Sequence, residues 1–253
     1  IAARGRLSKP MAGRSKPALA YRRVANDIRD RLLGGAIKPG EPLPSEAELG
    51  RQLNVNRSTI REGIRLLEEN GLVRRYGGKR LFASVPQRGD LSLRMRQALT
   101  LQALTFRELW EAEMAIEPPI AGAAALRAEP TDIEALQQNL QRMRAAYDAG
   151  ESLVALDVEF HALLAQAAHN RALLMCRDPL SLLFYPAYGS VMTLLPAAER
   201  MLVAHETIVE AIRRRDEATA RDWATKHTVD FRRGYELANL NLDQPVPLKT
   251  VGA

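Results

Sequence analysis

Four side chains in the second half of the chain have the types and spacing that a metal site needs. Asp157 and His161 are four positions apart, so on a helix they lie on one face, one turn from each other. His205 and His227 belong to two later segments that also have helical periodicity. Three imidazoles and one carboxylate suit a divalent ion, zinc or nickel above all. Spacing alone leaves open that these histidines only fill a core or face solvent.

A second group of side chains, around residue 57, has the character of a DNA-reading helix. Residues 45–53 are predicted to form a short helix and residues 58–70 a longer amphipathic one, with the short separation of a helix-turn-helix. Asn56 is the expected N-cap. The turn that follows would present polar side chains to base edges and phosphates in the major groove. These side chains are Arg57, Ser58, Thr59 and Arg61.

A predicted hairpin follows this helix directly. Residues 72–76 and 80–85 are predicted to be strands around a Gly-Gly turn, and a hairpin in this place is a wing. We expect Gly78 and Lys79 at its tip to contact phosphates or the minor groove. Charge agrees, because the first 90 residues hold 19 Lys and Arg against 9 Asp and Glu, and the remainder 17 against 21. This predicts polyanion binding at one end, although charge alone could also serve solubility.

The organisation of the 253 residues follows from these elements. The fold class is predicted to be mostly α, with a winged helix-turn-helix followed by an antiparallel bundle of six or seven helices. A kink or a break is expected at Pro118-Pro119, and breaks are expected near Asp178-Pro179 and at Pro186. The predicted segments are a disordered basic arm (1–18), the winged helix-turn-helix (19–86), a linker (87–97), the all-helical domain (98–240) and a loose tail (241–253).

Composition excludes several classes of protein. No run of about 18 apolar residues occurs, so neither a membrane span nor a membrane partner is expected. The first residues lack the apolar stretch of a secretion signal, and the single cysteine, Cys176, fits a reducing compartment. A cytoplasmic location is therefore the expectation.

Several motifs resemble those of the GntR family of bacterial transcription regulators. In the winged-helix part they are Gly35-Ala-Ile-Lys-Pro-Gly40, Leu43-Pro-Ser-Glu-Ala-Glu-Leu49, Val55-Asn-Arg-Ser-Thr-Ile-Arg-Glu-Gly63 and Leu67-Glu-Glu-Asn-Gly-Leu-Val73. In the helical part, the segments that resemble the FadR-type ligand-binding domain, called FCD, are Asp157-Val-Glu-Phe-His161, His205-Glu-Thr-Ile-Val-Glu-Ala-Ile212 and His227. The resemblance covers roughly residues 20–240.

This resemblance implies a regulator rather than an enzyme. Such a protein binds a near-palindromic double-stranded operator as a homodimer and responds to a small-molecule metabolite, often an organic acid. Repression relieved by the metabolite is the commoner behaviour. The resemblance implies a divalent metal at the bottom of the effector cavity, on Asp157, His161, His205 and His227. The side chains expected to line that cavity are Glu113, Arg107, Asn170, Tyr185 and Tyr188, with a packed core as the favoured alternative for the two tyrosines.

Two positions depart from the pattern of the family. Ala47 stands where many relatives carry an arginine that contacts DNA. Glu113 stands where relatives commonly carry an arginine that pairs with an organic acid, and a buried carboxylate there would repel an acid. The effector would then be neutral, cationic or an acid held by metal alone, unless the alignment is one turn off or Glu113 faces solvent.

Two other functions stay open at this point. A metal-dependent hydrolase or isomerase fused to a DNA-binding module would use the same four ligands, with Glu159, Glu206 or Glu113 as a general base. Non-specific architectural DNA binding would need neither an operator nor a metal cavity.

Overall fold

The chain forms two compact units, Ile1–Gln87 and Arg88–Ala253. The computed structural model describes residues 15–78, 80–194 and 197–246, without the side chains of 15–19, 186–190 and 192–194. Among the residues described, every helix is too short or too polar to span a bilayer.

Within the described residues, the first unit consists of three helices and a two-stranded antiparallel sheet. They are α1 (Ser15–Leu33), α2 (Glu46–Leu53), α3 (Arg57–Glu69), β1 (Val73–Tyr76) and β2 (Arg80–Ala83). The register places Val73 opposite Ala83. The extended residues before α2 run along β2, where the N–H of Leu43 donates to the carbonyl of Leu81 at 2.9 Å. The element order of the predicted winged helix-turn-helix is confirmed.

Helix α3 is held against α1 by apolar contacts. Val24 and Ile28 of α1 and Ile60 and Ile64 of α3 are buried in one core. Gly63 lets the two helices come close, because a Cβ atom there would lie 2.8 Å from Cγ1 of Val24. The side chains of α3 that point away from this core are left to solvent.

The second unit is a bundle of seven helices within the described residues. They are α4 (Arg88–Leu101), α5 (Phe106–Arg127), α6 (Pro130–Asp148), α7 (Val154–Ala167), α8 (Arg171–Leu194), α9 (Ala198–Arg213) and α10 (Glu217–Leu237). Side chains fix some of the helix starts: Thr105 and Glu108 form a capping box at α5, and Asp216 accepts a hydrogen bond from the N–H of Thr219 at α10. The all-helical second domain predicted from the sequence is confirmed.

Prolines do not interrupt the helices as predicted. Pro118 and Pro119 lie inside α5, and α8 continues through Pro179 and Pro186. A proline removes the N–H that would bond to the carbonyl four residues earlier, which costs about 3 kcal/mol or more. In α5 burial offsets this cost, since Pro118 and Ile120 are both buried in the bundle. A break at any of these places is therefore contradicted, and the kink at Pro118-Pro119 stays a prediction.

The segment predicted to be a linker, residues 87–97, also differs from expectation. Residues 88–101 form α4, which belongs to the second unit and packs against α8. Arg88 pairs with Asp178 of α8 at 2.8 Å, and Leu99 packs against an aromatic core. Tertiary contacts of this kind, rather than propensity, supply most of the stability of a helix in a protein.

Both predicted terminal segments need correction where the structure describes them. Helix α1 begins at Ser15, inside the predicted disordered arm, and residues 1–14 lie outside the described residues. In the predicted loose tail, Leu242 is buried and the N–H of Val246 donates to the carbonyl of Leu104 at 2.9 Å. This part of the tail therefore packs near the start of α5, because it has an apolar side chain to bury.

Candidate metal centre and nucleic-acid interface

Three helices carry the four side chains of the predicted metal site. Asp157 and His161 lie on successive turns of α7, His205 lies on α9 and His227 on α10. These four residues form the Asp–His centre, and none of them is more than 5% exposed. The ring of Phe160 stacks on the ring of His205, with 3.7 Å between centroids, and this contact fixes the plane of the imidazole.

The ligand atoms of the Asp–His centre converge. The Nε2 atom of His227 lies 3.3 Å from Nε2 of His161 and 3.0 Å from Nε2 of His205. Oδ1 of Asp157 lies 3.7 Å from Nε2 of His161 and 3.5 Å from Nε2 of His205. Ligands held about 2.1 Å from a zinc ion stand about 3.4 Å apart in a tetrahedron. The observed separations therefore fit one small divalent ion.

Polar atoms of the Asp–His centre do not all have a hydrogen-bond partner among the described residues, as buried polar atoms usually do. Oδ1 of Asp157 has no hydrogen-bond partner among the described residues. A neutral imidazole nitrogen either donates or accepts, so three Nε2 atoms that face one another cannot all be satisfied. Burial, with His161 nearby, lowers the pKa of His227 to about 3, and burial lowers the pKa of His205 well below its usual value. Neutral imidazoles are the form that binds metal, so the residues fit a divalent ion.

A second layer of buried polar groups supports His161. Its Nδ1 atom lies 3.1 Å from Oε2 of Glu117, while Oε1 of Glu117 accepts a hydrogen bond of 2.6 Å from Nε of Arg177. Nη2 of Arg177 donates to the hydroxyl of Tyr185 at 3.1 Å. With Glu113, one turn before Glu117, these residues form the α5–α8 cluster: Glu113, Glu117, Arg177 and Tyr185, none more than 3% exposed. A carboxylate that holds the outer nitrogen of a histidine orients the ring for a metal.

The surroundings shift the pKa values of the two glutamates of the α5–α8 cluster in opposite directions. Burial would raise the pKa of Glu117, but the Arg177 guanidinium and His161 lower it to about 2. Burial and the neighbouring Glu117 charge raise the pKa of Glu113 well above its usual value. A side-chain hydrogen bond between Glu113 and Glu117 also raises the pKa of Glu113. The surroundings therefore favour the ionised form of Glu117 and the protonated form of Glu113.

Sequence reasoning missed Glu117 and Arg177. The sequence contains a signal for Glu117, because it is four residues after Glu113 and therefore lies on the same face of the helix. Arg177 stands in a largely apolar stretch of α8, where a charged residue indicates a buried partner. That partner is 60 residues earlier in the chain, and no local pattern identifies it.

In the first unit, the N-terminal turn of α3 faces solvent. Oδ1 of Asn56 accepts hydrogen bonds from the N–H of Thr59 and the hydroxyl of Ser58, each at 2.8 Å, so the helix is N-capped at the predicted residue. The side chain of Arg57 is 81% exposed, and Arg61 is exposed one turn further on. Ser58 is exposed and Thr59 is half-buried, so Thr59 has the least free surface of the predicted contacts.

The wing ends in a turn that glycine makes possible. Gly78 is exposed and has a φ angle of 75°, in the left-handed region that favours glycine. Lys79, the other predicted contact at the tip, lies outside the described residues. Arg75 of β1 binds Glu46 and Glu68 at 2.9 Å each, so it ties the wing to α2 and α3.

Comparisons with known proteins agree with the two units. The model for bacterial regulatory proteins of the gntR family matches residues 20–82, and the model for the FCD domain matches residues 108–230. The chain contains a GntR-family DNA-binding domain followed by an FCD domain. The resemblance drawn from its motifs is confirmed, and the FCD match includes every residue of the Asp–His centre.

Relatives in the GntR family align with part of the chain. An uncharacterised HTH-type transcriptional regulator of Mycobacterium tuberculosis is 31% identical over 60% of this chain and 62% of its own length. The Uxu operon transcriptional regulator of Escherichia coli is 33% identical over 60% of each chain. The chain thus matches about three-fifths of the length of these two relatives. The solved structure of Streptococcus agalactiae GntR is similar in fold, with a TM-score of 0.58 at 24% identity, over 84% of this chain and 99% of that one.

One of the side chains predicted to line the effector cavity, Tyr185, lies beside the Asp–His centre. Glu113 is 1% exposed, so the alternative in which it faces solvent is wrong. The ring of Tyr185 lies 5.1 Å from the ring of His161, centroid to centroid. The side chain of Tyr188 lies outside the described residues.

Two other predicted cavity residues lie at the starts of helices. Arg107 is at the exposed start of α5 and pairs with Asp243 at 2.7 Å, because the tail packs there. Asn170 precedes α8, where its side-chain oxygen accepts a hydrogen bond from the N–H of Leu173 at 3.2 Å and caps the helix. Both side chains are engaged at the starts of these helices, and their place in the effector cavity stays a prediction.

A groove of about 480 Å³ between α9 and α10 reaches the Asp–His centre from outside. His227 forms part of its wall, together with Trp223 and Lys226 of the same helix. Arg200 of α9 pairs with Asp230 of α10 at 3.0 Å and joins the two sides of the groove. The groove is a route by which water or a small solute can approach His227.

Proposed function

We propose that this chain is a transcription regulator, acting as a repressor, that binds a near-palindromic double-stranded operator as a homodimer. A small-molecule metabolite bound above a divalent metal ion in the helical unit would control it. The observation that carries the proposal is that one chain has both an exposed, N-capped basic helix end and a buried Asp–His centre. The matches to the GntR-family and FCD models support both parts.

DNA recognition is assigned to the N-terminal end of α3 and the tip of the wing. Arg57 and Arg61 project into solvent where a recognition helix enters the major groove. If Arg61 pairs bidentately with a base, Arg61→Ala should cost about 1–3 kcal/mol and relax one operator position. If it meets only phosphate, affinity falls uniformly and the salt slope drops by about one unit.

The test is an in vitro selection of fragments of the source genome with the purified full chain, followed by binding curves on the enriched site. A few sharp peaks that share an inverted repeat support the proposal. Diffuse enrichment that disappears at moderate salt contradicts it. Arg65→Ala is the matched control, because Arg65 is on the same helix but pairs with Glu62 and Glu69 at 3.1 Å.

The divalent metal is assigned to the Asp–His centre, with zinc or nickel as the expected ion. Removing His205 leaves three ligands, so His205→Ala should lower metal affinity by about 10-fold or more. Metal analysis of the purified protein and a competitive chelator titration measure this. His169→Ala is the control, because the fourth histidine lies on the surface and pairs with Asp132 at 2.7 Å. Unchanged metal content in His205→Ala would end the assignment.

Control by a metabolite requires that it binds the DNA-competent and DNA-incompetent forms with different affinities. The metal-loaded chain should release its operator when a metabolite extract of the source cells is added, and the metal-stripped chain should release less. Expression of a reporter gene placed behind the operator should increase when the fraction of the extract that releases the operator is added. Equal release by the loaded and stripped chains would contradict control through the metal.

A homodimer is proposed because a two-fold protein matches a two-fold operator. Light scattering measures the mass of the chain alone and on operator DNA. Two chains on each operator are expected, and one chain on each operator would contradict the dimer.

A further inference from the structure

An acidic side chain lies among the arginines at the DNA-reading end of the first unit. Glu46 is in the first turn of α2, and its side chain is 18% exposed. Its Oε1 atom lies 2.9 Å from Nη2 of Arg75 of β1, and its Oε2 atom lies 3.8 Å from Nε of Arg57 at the start of α3. A carboxylate here repels a duplex, which carries one negative charge for about every 1.7 Å of its axis. Glu46 therefore needs an explanation other than affinity for DNA.

Glu46 is one member of a row of alternating charges that joins three elements. Arg75 of β1 donates from Nε to Glu68 of α3 and from Nη2 to Glu46 of α2, each at 2.9 Å. Glu46 in turn pairs with Arg57. These four residues form the charge row: Glu68, Arg75, Glu46 and Arg57. The side chains of the first three are at most 33% exposed, whereas that of Arg57 is 81% exposed. The row is therefore fixed at one end, and its other end faces solvent at the tip of α3.

The charge row holds the carboxylate of Glu46 in place before DNA arrives. The capping box of Ser45 and Glu48 fixes the start of α2, and the hydrogen bond from Arg75 fixes one oxygen of Glu46. The same hydrogen bond raises the pKa of Arg75. An exposed ion pair such as that of Glu46 with Arg57 adds little to stability in water. Against a duplex, however, water is excluded and the attraction strengthens. The pair therefore has its main effect on the DNA-bound state.

A guanidinium held by a carboxylate has fewer ways to meet DNA than one that turns freely. Arg57 faces Glu46 through Nε, so Nη1 and Nη2 are the groups that can turn to the duplex. Two parallel N–H groups match O6 and N7 of guanine in the major groove. The carboxylate also repels a phosphate that approaches the same guanidinium. Specificity commonly combines one attraction with one such repulsion.

We propose that Glu46 is a positioning residue for DNA recognition, and that through it Arg57 reads a guanine of the operator rather than a phosphate. Glu46 itself makes no contact with DNA, because its two oxygens are directed to Arg75 and Arg57. Operator specificity, rather than overall affinity for DNA, depends on it. This inference rests on the proposed function, since it names the contact made by the N-terminal end of α3.

The test repeats the in vitro selection with the full chain and with Glu46→Gln, which removes the charge and keeps an acceptor for Arg75. In each half of the operator, the variant should lose the preference for guanine at one position and keep its other preferences. Binding curves on the enriched operator and on an unrelated duplex of equal length give the specificity ratio, the first affinity divided by the second. This ratio should fall about 10-fold. The salt slope on the unrelated duplex should steepen by about one unit, because the released arginine meets one more phosphate.

Two further variants show whether Glu46 acts through Arg57. In a chain that already carries Arg57→Ala, adding Glu46→Gln should leave the specificity ratio unchanged, because the side chain that it positions is gone. Glu62→Gln is the matched control, because it removes the same charge from α3 itself, where Glu62 pairs with Arg65 at 3.1 Å. It should leave the guanine preference and the ratio unchanged. Thermal midpoints verify that each variant folds.

Three results would overturn the inference. The first is an unchanged guanine preference and ratio in Glu46→Gln. The second is an equal loss of affinity for both duplexes, since a purely structural role has that effect. The third is a ratio that falls just as much when Arg57→Ala is already present, because Glu46 would then act through another group. The unsubstituted chain tests the proposed function separately. A sharp operator that Glu46→Gln leaves unaltered removes only this inference, whereas diffuse enrichment by the unsubstituted chain removes both.

Discussion

Replacing Glu117 by glutamine removes one negative charge from the middle of the α5–α8 cluster and keeps the shape of the side chain. His161 then loses a charged acceptor 3.1 Å from its Nδ1 atom. Losses of this kind in the outer layer of a metal site weaken binding about 10- to 100-fold, which corresponds to about 1.4–2.7 kcal/mol. Arg177 loses the partner that balances its buried charge, and breaking a buried pair costs about 3–5 kcal/mol. Because glutamine still offers an acceptor, we expect the lower end of that range.

Two measurements separate these effects. A zinc titration against a chromophoric chelator should show the 10- to 100-fold loss of affinity in Glu117→Gln. Urea unfolding of the metal-free chain should show a free energy of unfolding lower by about 3 kcal/mol. The double variant Glu117→Gln with Arg177→Met should recover much of this stability, because it leaves no unpaired buried charge, but it should not recover zinc affinity. Glu111→Gln on the exposed face of α5 should change neither quantity.

The reasoning about Glu117 fails if the single variant binds zinc as tightly as the unsubstituted chain, because His161 would then not depend on its carboxylate. It also fails if the double variant is no more stable than the single one. In that case the loss of stability would not come from an unpaired guanidinium.

Three further substitutions test other parts of the molecule. Gly63→Ala places a methyl group 2.8 Å from Cγ1 of Val24. The overpacking costs about 1–3 kcal/mol and should outweigh the gain of about 1 kcal/mol in helix propensity. The thermal midpoint should therefore fall. Glu113→Gln should raise the midpoint at pH 8 and change it little at pH 4. In the folded, unsubstituted chain the pKa of Glu113 lies above the ordinary 4.5. The stability that its bound proton contributes is therefore fully present below pH 4.5 and is lost as the pH rises through the pKa of the folded state. Asn56→Ala removes the acceptor for the N–H of Thr59, so it should cost about 1 kcal/mol of stability and weaken operator binding.

Each of these has a control and a contrary result. Gly89→Ala adds a methyl group with no atom within 4 Å, so it should not lower the midpoint; an unchanged midpoint in Gly63→Ala would contradict the close packing of α1 and α3. The same midpoint shift at pH 4 and pH 8 would mean that Glu113 is not protonated by its surroundings. Asn56→Asp keeps an acceptor and should keep the stability of the chain. Equal losses of stability in Asn56→Asp and Asn56→Ala would show that the hydrogen bond of the cap does not stabilise the helix.

The features that the sequence predicted depend on neighbouring residues. The cap at Asn56 acts within one turn, and Asp157 shares a helix face with His161 because four residues separate them. The hairpin follows from two glycines between short apolar runs, and its Gly78 has the expected positive φ. Chemistry of this local kind is visible in a single sequence, since the groups that interact are close along the chain.

The features that the sequence did not predict depend on distant partners. Arg177 meets Glu117 across 60 residues, and Arg107 meets Asp243 across 136. The run of α5 through Pro118 is possible because the helix is buried, and burial is decided by the rest of the bundle. Local rules give the cost of such a residue but not the packing that offsets it.

The two units also differ in when they can be completed. The first needs no residue beyond Gln87, whereas the second closes on itself near its end: the N–H of Arg107 donates to the carbonyl of Leu242 at 3.0 Å, and His227 is on α10. Domains fold as units during synthesis, N-terminal first, while the ribosome adds about 5–20 residues per second. The DNA-reading unit therefore leaves the ribosome roughly 10–30 s before the helical unit can close. During that interval a nascent chain presents helix α3 while the helical unit with its Asp–His centre is still incomplete.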